Sequence, residues 1–285
     1  MIRKTVITAA GIGTRLLTVT KEQPKEMLPI FAEHNGIICI KPVLQMIFEQ
    51  LYDNGFREFC FIVGRGKRAI EDHFTIDRKF IKQLNDNRKY GLASILERFY
   101  EKIVSSNIVW INQPEPKGFG HAVLMAESFV GDEPFLVHAG DTYIISNNND
   151  VAKRLIKTHE RTEADATLLL KEVKNPKQYG VAEVQEHNER YDVKKAIEKP
   201  EKPPTNLAIM PVYVFNPVIM CILEKTTPGL HGEIQLTDAI QGLITGGFKV
   251  QAVKLRDDEA RLDVGTPETY WESVATSYKR SRKKL

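Results

Sequence analysis

The chain has 285 residues, 42% of them hydrophobic and 27% charged, which excludes a disordered, collagen-like or fibrous protein. Forty basic residues against 37 acidic ones leave a formal charge of +3, too small a balance to imply a nucleic-acid partner. No stretch approaches the roughly 18 apolar residues that a membrane-spanning helix needs.

Reading from the N-terminus, Arg3 and Lys4 precede an apolar run, Val6 to Ala10, that imitates a secretory leader. Gly11 and Gly13 interrupt it too early for one, so a buried strand over Lys4 to Ala9 is predicted instead. Apolar residues at 43, 44, 47, 48 and 51 predict a helix over Pro42 to Asn54, stopped by Gly55. Strands follow over Glu58 to Val63, Ile108 to Asn112, Pro134 to Ala139 and Ala166 to Val173. Helices lie between them over Lys67 to Phe74, His121 to Phe129 and Asp150 to Glu160, with a polar helical insertion over 85–107. This alternation predicts βαβ units: a Rossmann-like α/β fold with a mainly parallel mixed sheet and helices on both faces.

The second half has a different texture. Gly180 to Gln185 and Val193 to Glu198 read as a hairpin. Leu207 to Phe215 and Val250 to Leu255 read as strands, and Ile234 to Ile244 as a helix. One domain over 1–285 is expected, with a soft division into a nucleotide half (1–175), a substrate half (176–274) and a basic tail (275–285). Five of the last seven residues are basic, and they read as a frayed solvated end. Cys39, Cys60 and Cys221 are odd in number and lack metal-ligand spacing, so a reducing, cytosolic compartment is expected.

Ala9-Ala10-Gly11-Ile12-Gly13-Thr14-Arg15 follows the first strand, where an open α/β sheet binds its ligands. Glycines there let backbone N–H groups approach phosphate oxygens. The run is neither GxxxxGK[ST] nor the full dinucleotide fingerprint, since Thr14-Arg15-Leu16 follows Gly13 without a third glycine. Pro24-Lys25-Glu26-Met27-Leu28-Pro29 adds a proline-bracketed loop with one cation and one anion. Arg15 and Lys25 are placed to neutralise a triphosphate from two sides.

Together these two segments resemble the entrance of bacterial-type UTP–glucose-1-phosphate uridylyltransferases, a group of the sugar-phosphate nucleotidyltransferases. The likeness continues through Gln113, Gly118-Phe119-Gly120-His121-Ala122-Val123, Gly140-Asp141 and Tyr179-Gly180-Val181. It then runs through Glu198-Lys199-Pro200, Asn206-Leu207-Ala208-Ile209, Gly232 to Ile240 and Leu262-Asp263-Val264-Gly265-Thr266. It keeps chain order over residues 3–274. Any one block is weak evidence; the ordered series is specific.

The resemblance implies a glycosyltransferase-A-like fold and an enzyme that transfers UMP from UTP to glucose 1-phosphate, releasing pyrophosphate. Such chemistry rests on positioning and charge neutralisation. It implies nucleotide contacts from Ala10, Gly11 and Gly13, and triphosphate contacts from Arg15 and Lys25. Asp141 and Asp263 become the Mg²⁺ ligands, hard oxygens suited to that ion. Lys199 is implied to hold the sugar phosphate, and Glu198 to accept from sugar hydroxyls. Gly180 is implied to let the sugar approach the backbone. Gln113, Gly118 and Glu26 are expected to read the base, with Glu26 accepting uracil N3–H. A homo-oligomer, dimer or tetramer, is also implied.

Three features depart from the family pattern. The connection from Phe31 to Lys41 is long and reads as a lid or interface loop. Pro211 replaces a usual glycine beside the sugar pocket. Asp141 lacks a second acid a few positions on. A thymidylyltransferase or relaxed enzyme and a non-catalytic nucleotide-sugar sensor stay open as alternatives. The full set of Arg15, Lys25, Asp141, Lys199 and Asp263 weighs against the sensor.

Overall fold

Lys4–Ala9 forms β1, the strand around which the nucleotide half is arranged in this computed structural model, which describes residues 2–187 and 190–282. An antiparallel hairpin follows, β2 (Pro29–His34) and β3 (Ile37–Pro42), and then α1 (Val43–Asp53). Next come β4 (Glu58–Val63), α2 (Arg68–His73), α3 (Arg78–Asp86), α4 (Tyr90–Val104) and β5 (Asn107–Asn112). Helices α5 (Phe119–Leu124) and α6 (Glu127–Val130) lead to β6 (Phe135–Ala139) and the short β7 (Thr142–Ile145). α7 (Val151–Thr162), β8 (Ala166–Glu172), β9 (Gly180–His187), β10 (Arg190–Glu198) and β11 (Leu207–Phe215) come next. The chain continues through α8 (Val218–Lys225), α9 (Leu236–Thr245), β12 (Val250–Lys254), β13 (Ala260–Asp263) and α10 (Pro267–Arg282).

Nine strands make the main sheet in the order β5-β4-β1-β6-β11-β8-β12-β10-β9. The sheet is mixed, as expected. It is parallel across β5-β4-β1-β6 and at β8–β12, whereas β11 enters antiparallel between β6 and β8. The two halves of the chain therefore share one sheet. Period-two alternation divides β1 and β4 between two cores. Ile7, Phe59 and Phe61 face α1, α2 and α4, with Phe48, Phe74 and Phe99 packed against them. Val6, Cys60 and Ile62 face α5, α8 and α9. Each fully buried aromatic contributes about 2–3 kcal/mol of apolar transfer.

Two expectations change. The long 31–41 connection is no loop: it is the β2–β3 hairpin, turned at Asn35-Gly36, whose φ values of 49° and 78° are both left-handed. The basic tail is not frayed through 282, because α10 docks on the hairpin. Ser273, Ser277 and Ser281, one helical turn apart, are all buried, and Phe31 N–H donates to Ser277 Oγ at 3.1 Å. Tyr270 OH donates to Pro29 O at 3.1 Å, and Phe31 meets Tyr278 edge-on at 5.0 Å. Residues 283–285 of that tail lie outside the described residues. Pro211 occupies a register shift of β11 between Met210 and Tyr213, where a residue without an N–H costs the ladder nothing.

Candidate active site

The glycine loop lies at the carboxyl end of β1. Gly13 adopts φ 76°, a left-handed conformation, and Thr20 Oγ1 donates to its carbonyl at 2.8 Å. A Cβ on Gly11 would sit 3.4 Å from Cε of Lys25, so the loop packs directly on that side chain. One on Gly140, at the end of β6, would sit 2.9 Å from Thr8 O, so glycine brings β6 and the following aspartate close under β1. A bulky side chain at Gly11 would push the loop away from Lys25, and one at Gly140 would push β6 away from β1.

Here two distant carboxylates meet. β7 and β13 pair so that Thr142 lies opposite Asp263, and Val264 N–H donates to Asp141 O at 3.0 Å. Thr142 Oγ1 is 3.3 Å from Asp141 Oδ1 and 3.4 Å from Asp263 Oδ1. Lys25 Nζ donates to Asp141 Oδ2, and Arg261 pairs with Asp263 at 3.1 Å. Arg15, which is exposed, brings its guanidinium to the Gly265 turn beside Asp263. Burial opposes ionisation of Asp141, but the Lys25 ammonium outweighs it and holds that carboxyl at about 2. Burial, helped by the Asp141 charge and against the pull of Arg261, leaves Asp263 above its ordinary value. Lys25 is stabilised as a cation: its anionic neighbours, Asp141 first and then Glu26, overcome its own burial.

Glu26 differs from expectation. It is 1% exposed, and its Oε2 accepts from Lys67 Nζ at 2.8 Å. A carboxylate closed off in this way has no surface to offer a base. The other two residues expected to read the base do come together. Gly118, at φ 102° with no room for a Cβ against Ile234 O (2.8 Å), opens α5. Gln113 Nε2 donates to Gly118 O at 3.2 Å and to His121 Nδ1 at 2.9 Å. The Gly118 carbonyl can only accept, so its contact fixes the flip and leaves Gln113 Oε1 as the acceptor.

The residues expected to meet the sugar form a third group. Glu198 ends β10, opposite Gly180 at the start of β9. Its Oε2 accepts from Thr237 Oγ1 at 2.7 Å, and its Oε1 pairs with Lys199 Nζ at 3.3 Å. A Cβ on Gly180 would lie 2.7 Å from Thr237 Oγ1 and 2.9 Å from Glu198 Oε2, so any larger residue would displace the carboxylate. Lys199 holds a left-handed φ of 39°, tied by its N–H to Tyr179 O at 3.1 Å. That turn aims the ammonium outward, and its side chain stays 42% exposed. Arg261 links this group to the aspartates, since its guanidinium also donates to Tyr179 OH at 3.2 Å.

Sequence reasoning missed Lys67, Thr142, Thr237 and Arg261. Thr237 and Arg261 sit within or beside quoted motifs and were within reach. Lys67 carried no signal beyond a helix start. A basic groove of about 640 Å³ between α7 and β12 contains none of the site residues. Three of its cations are already neutralised: Arg154 by Glu259, Lys254 by Glu172 and Arg256 by Asp150.

The family model for nucleotidyl transferases matches residues 4–280. The UTP–glucose-1-phosphate uridylyltransferase of Bacillus subtilis is 39% identical over 270 residues, 93% of this chain and 87% of that protein. UTP–glucose-1-phosphate uridylyltransferase 2 of Staphylococcus saprophyticus is 38% identical over 269 residues, 93% of this chain and 88% of its own. A crystal structure of UDP-glucose pyrophosphorylase complexed with UDP-glucose superposes with a TM-score of 0.84 at 31% identity, covering 98% of this chain and 100% of that one. UTP-bound UGPase from Acinetobacter baumannii gives 0.82 at 27% identity, with full coverage of both chains. With fold, site geometry and ordered motifs in agreement over nearly its whole length, this chain belongs to the nucleotidyl transferase family.

Proposed function

We propose that this protein transfers UMP from UTP to glucose 1-phosphate, forming UDP-glucose and pyrophosphate. A phosphate oxygen of the sugar phosphate attacks the α-phosphorus of UTP in line. One P–O bond forms there as the bond to the β-phosphate oxygen breaks, and pyrophosphate leaves. No proton need be removed from the nucleophile, so the work of the protein is alignment and screening. The observation that carries this reading is the meeting of Lys25, Asp141, Thr142 and Asp263 beneath the glycine loop, with Glu198 and Lys199 joined to it through Arg261 and Tyr179.

Within that reading, the backbone of Ala10, Gly11 and Gly13 approaches the nucleotide, and Arg15 and Lys25 receive the charge of the departing pyrophosphate. Lys199 swings from Glu198 to the sugar phosphate and screens its repulsion with the α-phosphate. Glu198 and the Gly180 backbone receive the sugar. Gln113 Oε1 accepts uracil N3–H, the role that the closed Glu26 cannot fill.

Among the described residues no three His, Cys, Asp or Glu side chains are grouped to cage a metal. Two carboxylates beside a phosphate path fit Mg²⁺, which takes one or two protein oxygens and fills its shell with water and phosphate. Asp141 and Asp263 would hold it, and it would supply charge neutralisation at the transferred phosphate. No helix among the described residues is long and apolar enough to cross a membrane. A cytosolic homo-oligomer, dimer or tetramer, working on small molecules without nucleic acid, completes the proposal.

Pyrophosphate release, measured with Mg²⁺ over five nucleoside triphosphates and four sugar 1-phosphates, tests it. UTP with glucose 1-phosphate is expected to give the highest kcat/KM. Equal turnover of dTTP would place the chain with relaxed or thymidylyl-transferring enzymes. Binding without turnover of any pair would make it a sensor.

A further inference from the structure

The Lys67–Glu26 pair has no part in the reaction scheme above, yet it is the most deeply buried ion pair beside the site. Their side chains are 7% and 1% exposed. Burying two charges is costly, and removing one partner leaves the other stranded, so such a pair needs a reason. Its placement supplies one. Glu26 lies in the short 3-10 turn Lys25–Met27, immediately after the lysine proposed to hold the triphosphate. Lys67 comes from a different segment, the turn between β4 and α2, which carries Gly64 and Gly66. That turn presses on the glycine loop itself, because a Cβ on Gly64 would lie 3.0 Å from Ala10 O.

We infer that Lys67 is a positioning residue for the triphosphate. Through Glu26 it locks the Lys25 turn to the β4–α2 turn, and so fixes the Lys25 ammonium relative to the Ala10–Gly11 backbone. The inference rests on the proposed role of Lys25. Glu26 faces cations on both sides, Lys67 by direct contact and Lys25 through its field, and Lys25 in turn reaches Asp141. Charges thus alternate from Lys67 through Glu26 and Lys25 to Asp141. Burial raises the Glu26 carboxyl above its ordinary value, and the two lysines, Lys67 first, offset that rise only in part. Without Lys67 the carboxylate loses its only direct cationic contact among the described residues, and the Lys25 turn loses its tie to the β4–α2 turn.

Three variants test this: Lys67→Met, the double variant Glu26→Gln with Lys67→Met, and Lys25→Ala. The double variant removes both buried charges and keeps side-chain volume, so it decides the matter even if Lys67→Met does not fold. In the double variant the KM for UTP is expected to rise roughly tenfold, while that for glucose 1-phosphate stays within about twofold. Lys67→Met, where folded, is expected to show the same split. A double variant with both constants at the wild-type level, or with both raised equally, overturns the inference, because a merely structural pair would give one of those results. Lys25→Ala separates the two levels. If it leaves the UTP constants unchanged, the reading of Lys25 itself fails. If it impairs UTP and the double variant does not, only the role of Lys67 fails.

Discussion

Asp141 and Asp263 are brought side by side by one antiparallel step between β7 and β13, and the hydroxyl of Thr142 lies within 3.4 Å of an oxygen of each. A hydroxyl has one proton to donate, so it serves one carboxylate at a time. The acid not served keeps that lone pair for another partner. Lys25 and Arg261 flank the pair from opposite sides and offset the repulsion between two like charges.

Replacing Asp141 by Asn keeps the shape and removes the charge. Turnover is expected to fall roughly a hundredfold, about 3 kcal/mol at tenfold per 1.36 kcal/mol. Raising Mg²⁺ should recover part of it, because a weakened site is saturable. Steady-state kcat against Mg²⁺ concentration measures both, and near wild-type turnover in the folded variant would remove Asp141 from the site.

Lys199→Ala should raise KM for glucose 1-phosphate more than KM for UTP. The left-handed turn at Lys199 holds the ammonium beside Glu198, on the sugar side of the Tyr179–Arg261 link. Equal effects on the two constants would assign Lys199 to the triphosphate or to the fold.

In the proposed reaction, base choice turns on Gln113. With its nitrogen engaged by Gly118 O and His121, it presents an acceptor, which matches uracil N3–H and opposes the N3 lone pair of cytosine. Gln113→Leu should therefore bring UTP and CTP within roughly tenfold of each other, chiefly by weakening UTP. Competition between the two nucleotides before and after substitution checks this. Thymine carries the same N3–H, so UTP over dTTP should change little; one methyl is worth only about 1–3 kcal/mol in a pocket.

His138, on β6 between β1 and β11, gives a pH prediction. Burial holds its imidazole down at about 4 from the ordinary 6.5, against smaller opposing effects of Ala139 O and Asp141. Between those values the unfolded chain binds the proton and the folded one does not, so stability falls as pH falls from about 6.5 to about 4 and then levels. The full effect is about 3 kcal/mol at 1.36 kcal/mol per unit. Urea unfolding at pH 7 and pH 4.5 should show a smaller difference in His138→Gln than in the parent. An unchanged difference would show that other groups carry the acid sensitivity.

The parallel half of the sheet was legible because β1, β4 and β6 are largely buried on both faces and read as mostly apolar runs that end at or just before glycines. The hairpin was also written in the chain, in Asn35-Gly36, but its strands carry too little alternation to stand out: Glu33, His34 and Lys41 interrupt the pattern. α10 escaped because the buried positions of its docked face are serines, with tyrosines beside them, which leave no continuous apolar stripe. The short strands β7 and β13 cannot be read locally at all, since four residues each become strands only by pairing with one another. At the site, the glycines, aspartates and Glu198-Lys199 were visible as motifs. Glu26 shows what a sequence hides: a loop carboxylate and a distant lysine look solvated until the fold buries both.

The buried serines of α10 also bear on the order in which the protein becomes competent. Ser273 Oγ donates to the carbonyl of Asp263 at 3.0 Å, and Ser277 Oγ receives the N–H of Phe31. One helix near the end of the chain therefore fastens both the second aspartate and the hairpin formed early in it. A nascent chain can complete β1, its glycine loop and Asp141 long before residue 263 is made. It cannot close the acidic pair until residue 263 has been made, or anchor the hairpin until Ser277 has, so both are completed only after every strand of the shared sheet exists.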